Sequence, residues 1–395
     1  MKKIVSLFLV ALLSIGMATP IFAETEAKTT AESVDGFYSQ ADIDLDCQLT
    51  GAYLCEASTG KVLYASNEFK AASPASVTKV MTLLLVCEAL AAGKYSLTDT
   101  VRVSANAASM GGSQVFLEEG ERITVEDLIK ATVIASGNDS SVALAELTAG
   151  SESSFVKMMN NRAAELGLKN TNFENTTGLD DTTTSHYSCA ADIATMSREL
   201  ISHEIILKYS SIWQDTIRNG EFTLTNTNRL VRYYDGCNGL KTGSTDKAGF
   251  CISATAKRGN MQLIAVIMGA PTKDERNSAA RALLDYGFAN YALFEKSEQF
   301  IEEAEVLGGV KDSIGLYSGE FSSVVDKAKL SSVEEVYDIP ESITSPITAG
   351  ESLGRVTYML DGEQIGYCDI YAKEDVGKIG FGELLARILK RIVYG

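Results

Sequence analysis

Only two histidines, His186 and His203, occur in 395 residues. That scarcity leaves little room for the usual Ser-His pairing of a hydrolase, and no Gly-x-Ser-x-Gly turn is present to carry such a serine. His203 sits beside Glu204 in a helical pattern and reads as a surface residue. Neither Cys-x-x-Cys nor His-Glu-x-x-His appears, so no zinc site is expected, and no cofactor is called for. Proline is scarce, at 5 residues, and no long low-complexity tract occurs, which argues against extensive disorder. Cations are also in short supply: 35 Lys and Arg against 52 Asp and Glu leave a formal charge of -17. Nucleic acid is therefore not an expected partner, because phosphate binding needs clustered Lys and Arg. The seven cysteines follow no regular disulfide spacing. Cys87 and Cys251 read as core, and a Cys47–Cys55 pair stays open.

The amino-terminal apolar run, Ile4 to Met17, is shorter than the ~20 residues that cross a bilayer as a helix. Lys2 and Lys3 precede it, and Ala18-Thr19-Pro20-Ile21-Phe22-Ala23 comes after it. A basic start, a short apolar stretch and a small residue before a polar segment describe a secretory signal peptide, residues 1–23, cleaved after Ala23. Residues 24–44 are polar and acidic and read as a leader.

The rest of the chain is long enough for two domains. Gly51–Cys55 and Val62–Ala65 read as strands joined by the Ser58-Thr59-Gly60 turn. A helix is expected from Pro74 to Ala92, with proline in its first turn and Gly93 at its stop. Helical spacing returns over 125–136, 140–148, 152–166 and 190–203, then strands over 249–256 and 262–269, then a helix over 275–293. Strands at both ends and helices between suit one antiparallel sheet with helices on its faces. Beyond about Glu298, short Val, Ile and Tyr runs alternate with turns, and Asp361-Gly362 between two such runs signals a hairpin. This is a small all-β domain. The last stretch places Phe381, Leu384, Leu385, Ile388, Leu389, Ile392 and Val393 on one helical face, with Arg387, Lys390 and Arg391 largely outside it. A basic amphipathic helix of this kind suits an anionic membrane surface.

With histidine scarce, a lysine is the better base. Ser76-Val77-Thr78-Lys79 puts a hydroxyl and an amine on one helical face. The hydroxyl meets the positive end of the helix dipole, and apolar neighbours of Lys79 would lower its pKa, so that a neutral amine can take the Ser76 proton. Two further segments strengthen an otherwise common motif. Ser136-Gly137-Asn138 lies after an apolar helical run and offers a hydroxyl and an amide. Lys241-Thr242-Gly243 precedes a strand and offers a cation, a hydroxyl and a residue whose backbone a substrate can approach. Ser136 and Lys241 lie 60 and 165 residues beyond Ser76.

In this order and spacing the three segments resemble those of the penicillin-recognising serine enzymes, Ser-x-x-Lys, Ser-x-Asn and Lys-Thr-Gly. The closer resemblance is to low-molecular-weight penicillin-binding proteins of the D-alanyl-D-alanine carboxypeptidase type. It is carried by Ala72–Lys79, Ser136–Asp139, Thr171-Asn172-Phe173, Gly178-Leu179-Asp180 and Gly239–Gly249. The resemblance implies an α+β fold: a β-lactamase/transpeptidase-like domain (antiparallel sheet with helical cluster) over 45–296, a small β-rich domain over 297–375 and a C-terminal amphipathic helix over 376–395. It implies that Ser76 attacks the carbonyl between two D-alanines with Lys79 as proton acceptor, and that Ser136, Asn138 and Lys241 relay protons. Thr242, Gly243 and Ser244 would bind substrate, with Arg276 assisting at the terminal carboxylate and backbone N–H groups of Ser76 and near Ser244 forming an oxyanion hole. The implied partners are peptidoglycan stem peptides and β-lactam antibiotics, and the implied place is the outer face of the cytoplasmic membrane and the cell wall. Ser244 departs from several relatives, which carry His there. Two rival readings remain open. A β-lactamase of class A type would use Glu174 to activate a deacylating water, and a non-catalytic wall-binding protein would keep the fold without turnover.

Overall fold

The computed structural model describes residues 43, 45, 47–181 and 183–394. The expected signal peptide and, apart from Ile43, the leader lie outside the described residues.

The first part of the chain is built on a five-stranded antiparallel sheet: β1 (Gly51–Glu56), β2 (Val62–Ser66), β3 (Cys237–Thr245), β4 (Gly249–Arg258) and β5 (Met261–Ala270), in the spatial order β2-β1-β5-β4-β3. β4 and β5 are buried on both faces, which explains their near-continuous apolar sequence. Alternation still sorts their side chains: Ile264, Val266 and Met268 join the core on the helical-cluster side, while Leu263, Ala265 and Ile267 face the helix Lys273–Asn290. On β4, Ser253 faces the cluster and meets the Ser197 hydroxyl at 2.7 Å. β3 is an edge strand, so its outer backbone is open to pairing with a peptide.

At the centre of the cluster is the helix Lys79–Ala91, buried on nearly every side. Its apolar residues form no single stripe, as expected of a helix enclosed in a core. Leu83 and Leu84 are fully buried, each contributing about 1.5–3 kcal/mol by burial. The continuous helix expected from Pro74 is instead divided: Ala75–Thr78 is a 3-10 turn and the α-helix starts only at Lys79. Elsewhere the helices fall close to expectation, at Val125–Val133, Asn138–Ala149, Glu152–Glu165 and Ala190–Ser202. The helix expected over 275–293 runs over Lys273–Asn290, because the Thr272 hydroxyl caps it by accepting from Glu275 N at 3.1 Å.

Residues Tyr291–Lys296 form a strand paired with Phe321–Asp326. The second domain holds a six-stranded sheet around a small core of Ile314, Leu316, Val356, Ile370 and Ala372. Its hairpin, Ser352–Leu360 with Glu363–Ala372, turns at Asp361 (φ 54°) and Gly362 (φ 81°). Two positive φ values in a two-residue loop match the right-handed twist of the strands. The chain then forms the helix Phe381–Tyr394, whose apolar face is open: Phe381 is 82% and Ile392 74% exposed. Arg387 is tied back to Asp312 at 2.5 Å. Among the described residues no helix is long and apolar enough to cross a membrane.

Cys55 carries a free thiol, so a Cys47–Cys55 disulfide is not formed.

Candidate active site

Ala75 opens the 3-10 turn with φ 48°, a left-handed conformation that is costly for a residue with a side chain. The turn leaves Ser76 as the only residue from Ser73 to Cys87 that is not buried. Its hydroxyl is 2.9 Å from Lys79 Nζ, the geometry expected of positions three apart.

Lys79 is fully buried. Besides Ser76 it meets Asn138 Oδ1 at 2.6 Å and Thr177 O at 3.0 Å. The Asn138 amide is oriented by its other end, where Nδ2 donates to Gly111 O at 2.7 Å. Burial pulls the Lys79 pKa well below its ordinary value, the Lys241 charge pulls it further, and Asp139 opposes both. A neutral amine has two N–H groups and one lone pair. Asn138 Oδ1 and Thr177 O can only accept, so they take both hydrogens. In the neutral amine the lone pair would face Ser76 Oγ, the third partner of Nζ, and could take its O–H. This arrangement prepares a serine for attack.

A second lysine–serine pair stands beside the first. Lys241 Nζ donates to Ser136 Oγ at 2.8 Å and to Thr242 O at 2.8 Å. Burial, then the nearby Arg276 charge, lower the Lys241 pKa to about 7. Ser136 is presented by a left-handed turn (φ 63°) after the Val125–Val133 helix has ended, where the sequence pattern suggests helix to residue 136. The Thr242 hydroxyl donates to Thr227 Oγ1 at 2.8 Å. Gly243 lies against the nucleophile turn: a Cβ there would sit 2.7 Å from Ser76 N and 2.8 Å from Val77 N. Only glycine lets β3 approach this closely. Ser244 is next, exposed, opposite Phe250. Arg276 is 2% exposed and donates to Asn277 Oδ1 at 2.9 and 3.2 Å. Burial lowers its pKa to about 10.

Several contributors were given no role from the sequence. Thr177 acts through its carbonyl. At Gly178 (φ 81°) a Cβ would fall 1.8 Å from Ala75 O, so the 175–179 loop seats the nucleophile turn. Asn175 shapes that loop, its Oδ1 accepting from Gly178 N at 2.7 Å. Asp139 accepts from Val115 N and Leu117 N, at 3.0 and 3.1 Å, and so holds the 113–117 segment beside Asn138. The Gly178-Leu179-Asp180 segment was the one visible signal for this loop. A backbone carbonyl leaves no signature of its own.

His186 does not join Ser76. Its Nδ1 accepts from Glu174 N at 3.0 Å, so Nε2 carries the proton and donates to Thr78 Oγ1 at 2.8 Å. Burial lowers its pKa to about 4. Cys237 lies near Gly239 O at 3.3 Å, and burial raises its pKa to about 11, which keeps the thiol protonated. Glu174 is exposed, and its carboxylate accepts from Thr184 N at 2.8 Å and Ser185 N at 3.0 Å. It is committed to its own loop rather than to a hydrolytic water.

A family model described as D-alanyl-D-alanine carboxypeptidase matches residues 39–272, and one described as penicillin-binding protein 5, C-terminal domain, matches residues 288–378. The D-alanyl-D-alanine carboxypeptidase DacF of Bacillus subtilis is 42% identical over 396 residues, covering 98% of each chain. The crystal structure of penicillin binding protein 5 from Haemophilus influenzae is similar with a TM-score of 0.73 and 34% identity, over 84% of this chain and 98% of that one. Penicillin-binding protein D2 from Listeria monocytogenes, in its ampicillin-bound form, is similar with a TM-score of 0.57 and 31% identity, over 62% of this chain and 99% of that one.

Proposed function

The chain belongs to the D-alanyl-D-alanine carboxypeptidase family, and from that premise we propose that Ser76 is the nucleophile that removes the terminal D-alanine from peptidoglycan stem peptides. The observation that carries this reading is the Lys79 amine, buried, with two acceptor-only partners and its remaining position on Ser76 Oγ.

A peptide enters along the β3 edge. Ser76 Oγ attacks the carbonyl between the two D-alanines while Lys79 takes its proton. The oxyanion is received by the N–H groups of Ser76 and Ser244, which the close approach of Gly243 supports. The proton that Lys79 has taken passes through Ser136, held by Lys241, to the departing nitrogen, which leaves Lys79 neutral again. Thr242 and Arg276 receive the terminal carboxylate, and Asn138 orients Lys79. Water then attacks the acyl-enzyme, Lys79 takes a proton from it, and that proton returns to Ser76 Oγ as the ester bond breaks. A β-lactam acylates the same oxygen. The protein acts outside the cytoplasm, at the outer face of the membrane, on which the Phe381–Tyr394 helix lies by its exposed apolar face.

The test is incubation with a peptide ending in D-Ala-D-Ala, together with mass spectrometry after penicillin. D-alanine is released, the adduct maps to Ser76, and Ser76→Ala loses both without unfolding. An adduct on another residue would overturn the assignment. Labelling without any release of D-alanine would favour a binding role.

A further inference from the structure

The Thr242 hydroxyl gives its only hydrogen to another side chain: it donates to Thr227 Oγ1 at 2.8 Å. Two hydroxyls hold two hydrogens, and the one bond between them uses one. The hydrogen left over belongs to Thr227, and no acceptor among the described residues takes it. The acceptor-only group that suits such a hydrogen is a carboxylate.

Thr227 is held firmly in this place. Its N–H donates to Ile134 O at 3.0 Å, two residues before Ser136, so Thr227 ties the Ser136 segment to β3. Its neighbours Asn226 and Asn228 are 4% and 1% exposed. Asn226 Nδ2 donates to Ser210 O at 3.0 Å and to Ile212 O at 2.8 Å, and its Oδ1 accepts from Asn228 N at 2.9 Å. Asn228 Nδ2 donates to Gly239 O at 2.7 Å, two residues before Lys241, and its Oδ1 accepts from Leu230 N at 3.0 Å. Both buried amides are satisfied by these bonds. Of the three side chains, only that of Thr227 is half-buried. Positive charge gathers nearby. Burial and then the Arg276 charge lower the Lys241 pKa, and burial and then the Arg229 charge lower that of Arg276. Arg276 therefore lies within electrostatic reach of Lys241 and of Arg229, which is two residues past Thr227.

We propose that Thr227 is a carboxylate-binding residue that gives its hydroxyl hydrogen to the terminal carboxylate of the peptide, while the Thr242 hydroxyl donates to it from behind. The proposal rests on the function proposed above and deepens it. Thr242 reaches the carboxylate through Thr227, and selection for a free chain end depends on a residue outside the three catalytic segments. Hydrogen bonds in a chain polarise one another, so the Thr242 donation strengthens the one that Thr227 makes. A bond to an ionised acceptor is roughly twice as strong as one to a neutral group, so a chain end capped as an amide loses most of this advantage.

The experiment uses the full chain and two N-acyl-D-Ala thioesters that match in size, one ending in thioglycolate and one in thioglycolamide. The activated bond keeps both measurable, by loss of thioester absorbance. In Thr227→Val, which keeps the side-chain shape, kcat/KM for the acid is expected to fall about tenfold, mostly through KM, while the amide changes less than about twofold. Thr227→Ser, which keeps the hydroxyl, restores most of the preference for the acid. Thr242→Val leaves the Thr227 hydroxyl in place and loses less of that preference than Thr227→Val. An acid-to-amide preference unchanged in Thr227→Val would overturn the proposal. So would equal losses on both thioesters, the mark of a merely structural role, or a larger loss in Thr242→Val, which would assign the carboxylate to Thr242 directly. Failure of the wild type to release D-alanine from a peptide ending in D-Ala-D-Ala would instead refute the function on which the proposal rests.

Discussion

Replacing Gly243 by alanine tests whether the contact between β3 and the nucleophile turn is as tight as catalysis needs. The added Cβ would lie 2.7 Å from Ser76 N, 2.8 Å from Val77 N and 3.0 Å from Pro74 O. Comfortable separation is ~3.5 Å, so strand and turn must part by roughly 0.8 Å. All three obstacles are main chain, and no rotamer change can relieve them. Overpacking of this kind costs about 1–3 kcal/mol, which in a domain of this size lowers Tm by roughly 2–10 °C. The catalytic loss should be larger. An oxyanion donor must stand about 2.7–3.1 Å from the developing charge, and losing one costs ~10²–10³ in rate. The expected outcome is a folded protein whose acylation by a fluorescent penicillin and release of D-alanine both fall about 100-fold. Gly377→Ala is the control, since nothing lies within 4 Å of a Cβ there. Acylation within threefold of wild type, at unchanged Tm, would refute the reasoning.

Lys241→Met should trade function for stability. The wild-type amine falls from the ordinary lysine value to about 7 on folding, so the unfolded chain holds the extra proton between about pH 7 and 10.4. Stability from this site therefore rises with pH across that window, by about 1.4 kcal/mol per unit. The methionine variant escapes this penalty, so its stability relative to wild type is greatest near pH 7 and shrinks by pH 9.5, while D-alanine release falls at least ~100-fold. Urea unfolding at the two pH values checks the sign, and a constant difference would count against it. Glu174→Gln should leave the lifetime of the penicilloyl adduct unchanged, because that carboxylate is bound to the 184–185 backbone. An adduct that wild type clears in seconds and the variant retains would restore the lactamase reading. Removing 381–395 should release the protein from anionic vesicles with soluble activity intact, and unchanged binding in a flotation assay would point to another surface.

The Ser76–Lys79 pairing was legible because residues three apart meet in any helical turn, whatever surrounds them. The Asp361-Gly362 hairpin and the Thr272-capped helix are of the same kind, set by interactions within a few residues. The Ser136 and Lys241 segments were visible only through their order and spacing, and the sequence alone left the first compatible with a helix-ending loop and the second with a surface turn. Tertiary packing decided what those segments face. It broke the expected helix at Lys79, buried Arg276, and brought Thr177 O to the amine and Gly178 against Ala75. It also turned His186 toward Thr78 instead of Ser76. The pKa values of Lys79 and Lys241 arise there as well, since desolvation and the neighbouring charges come from segments distant in the chain. Short-range hydrogen bonding and hydrophobic period are written into neighbouring residues, whereas a carbonyl or a glycine that serves a remote segment has no local pattern to reveal it.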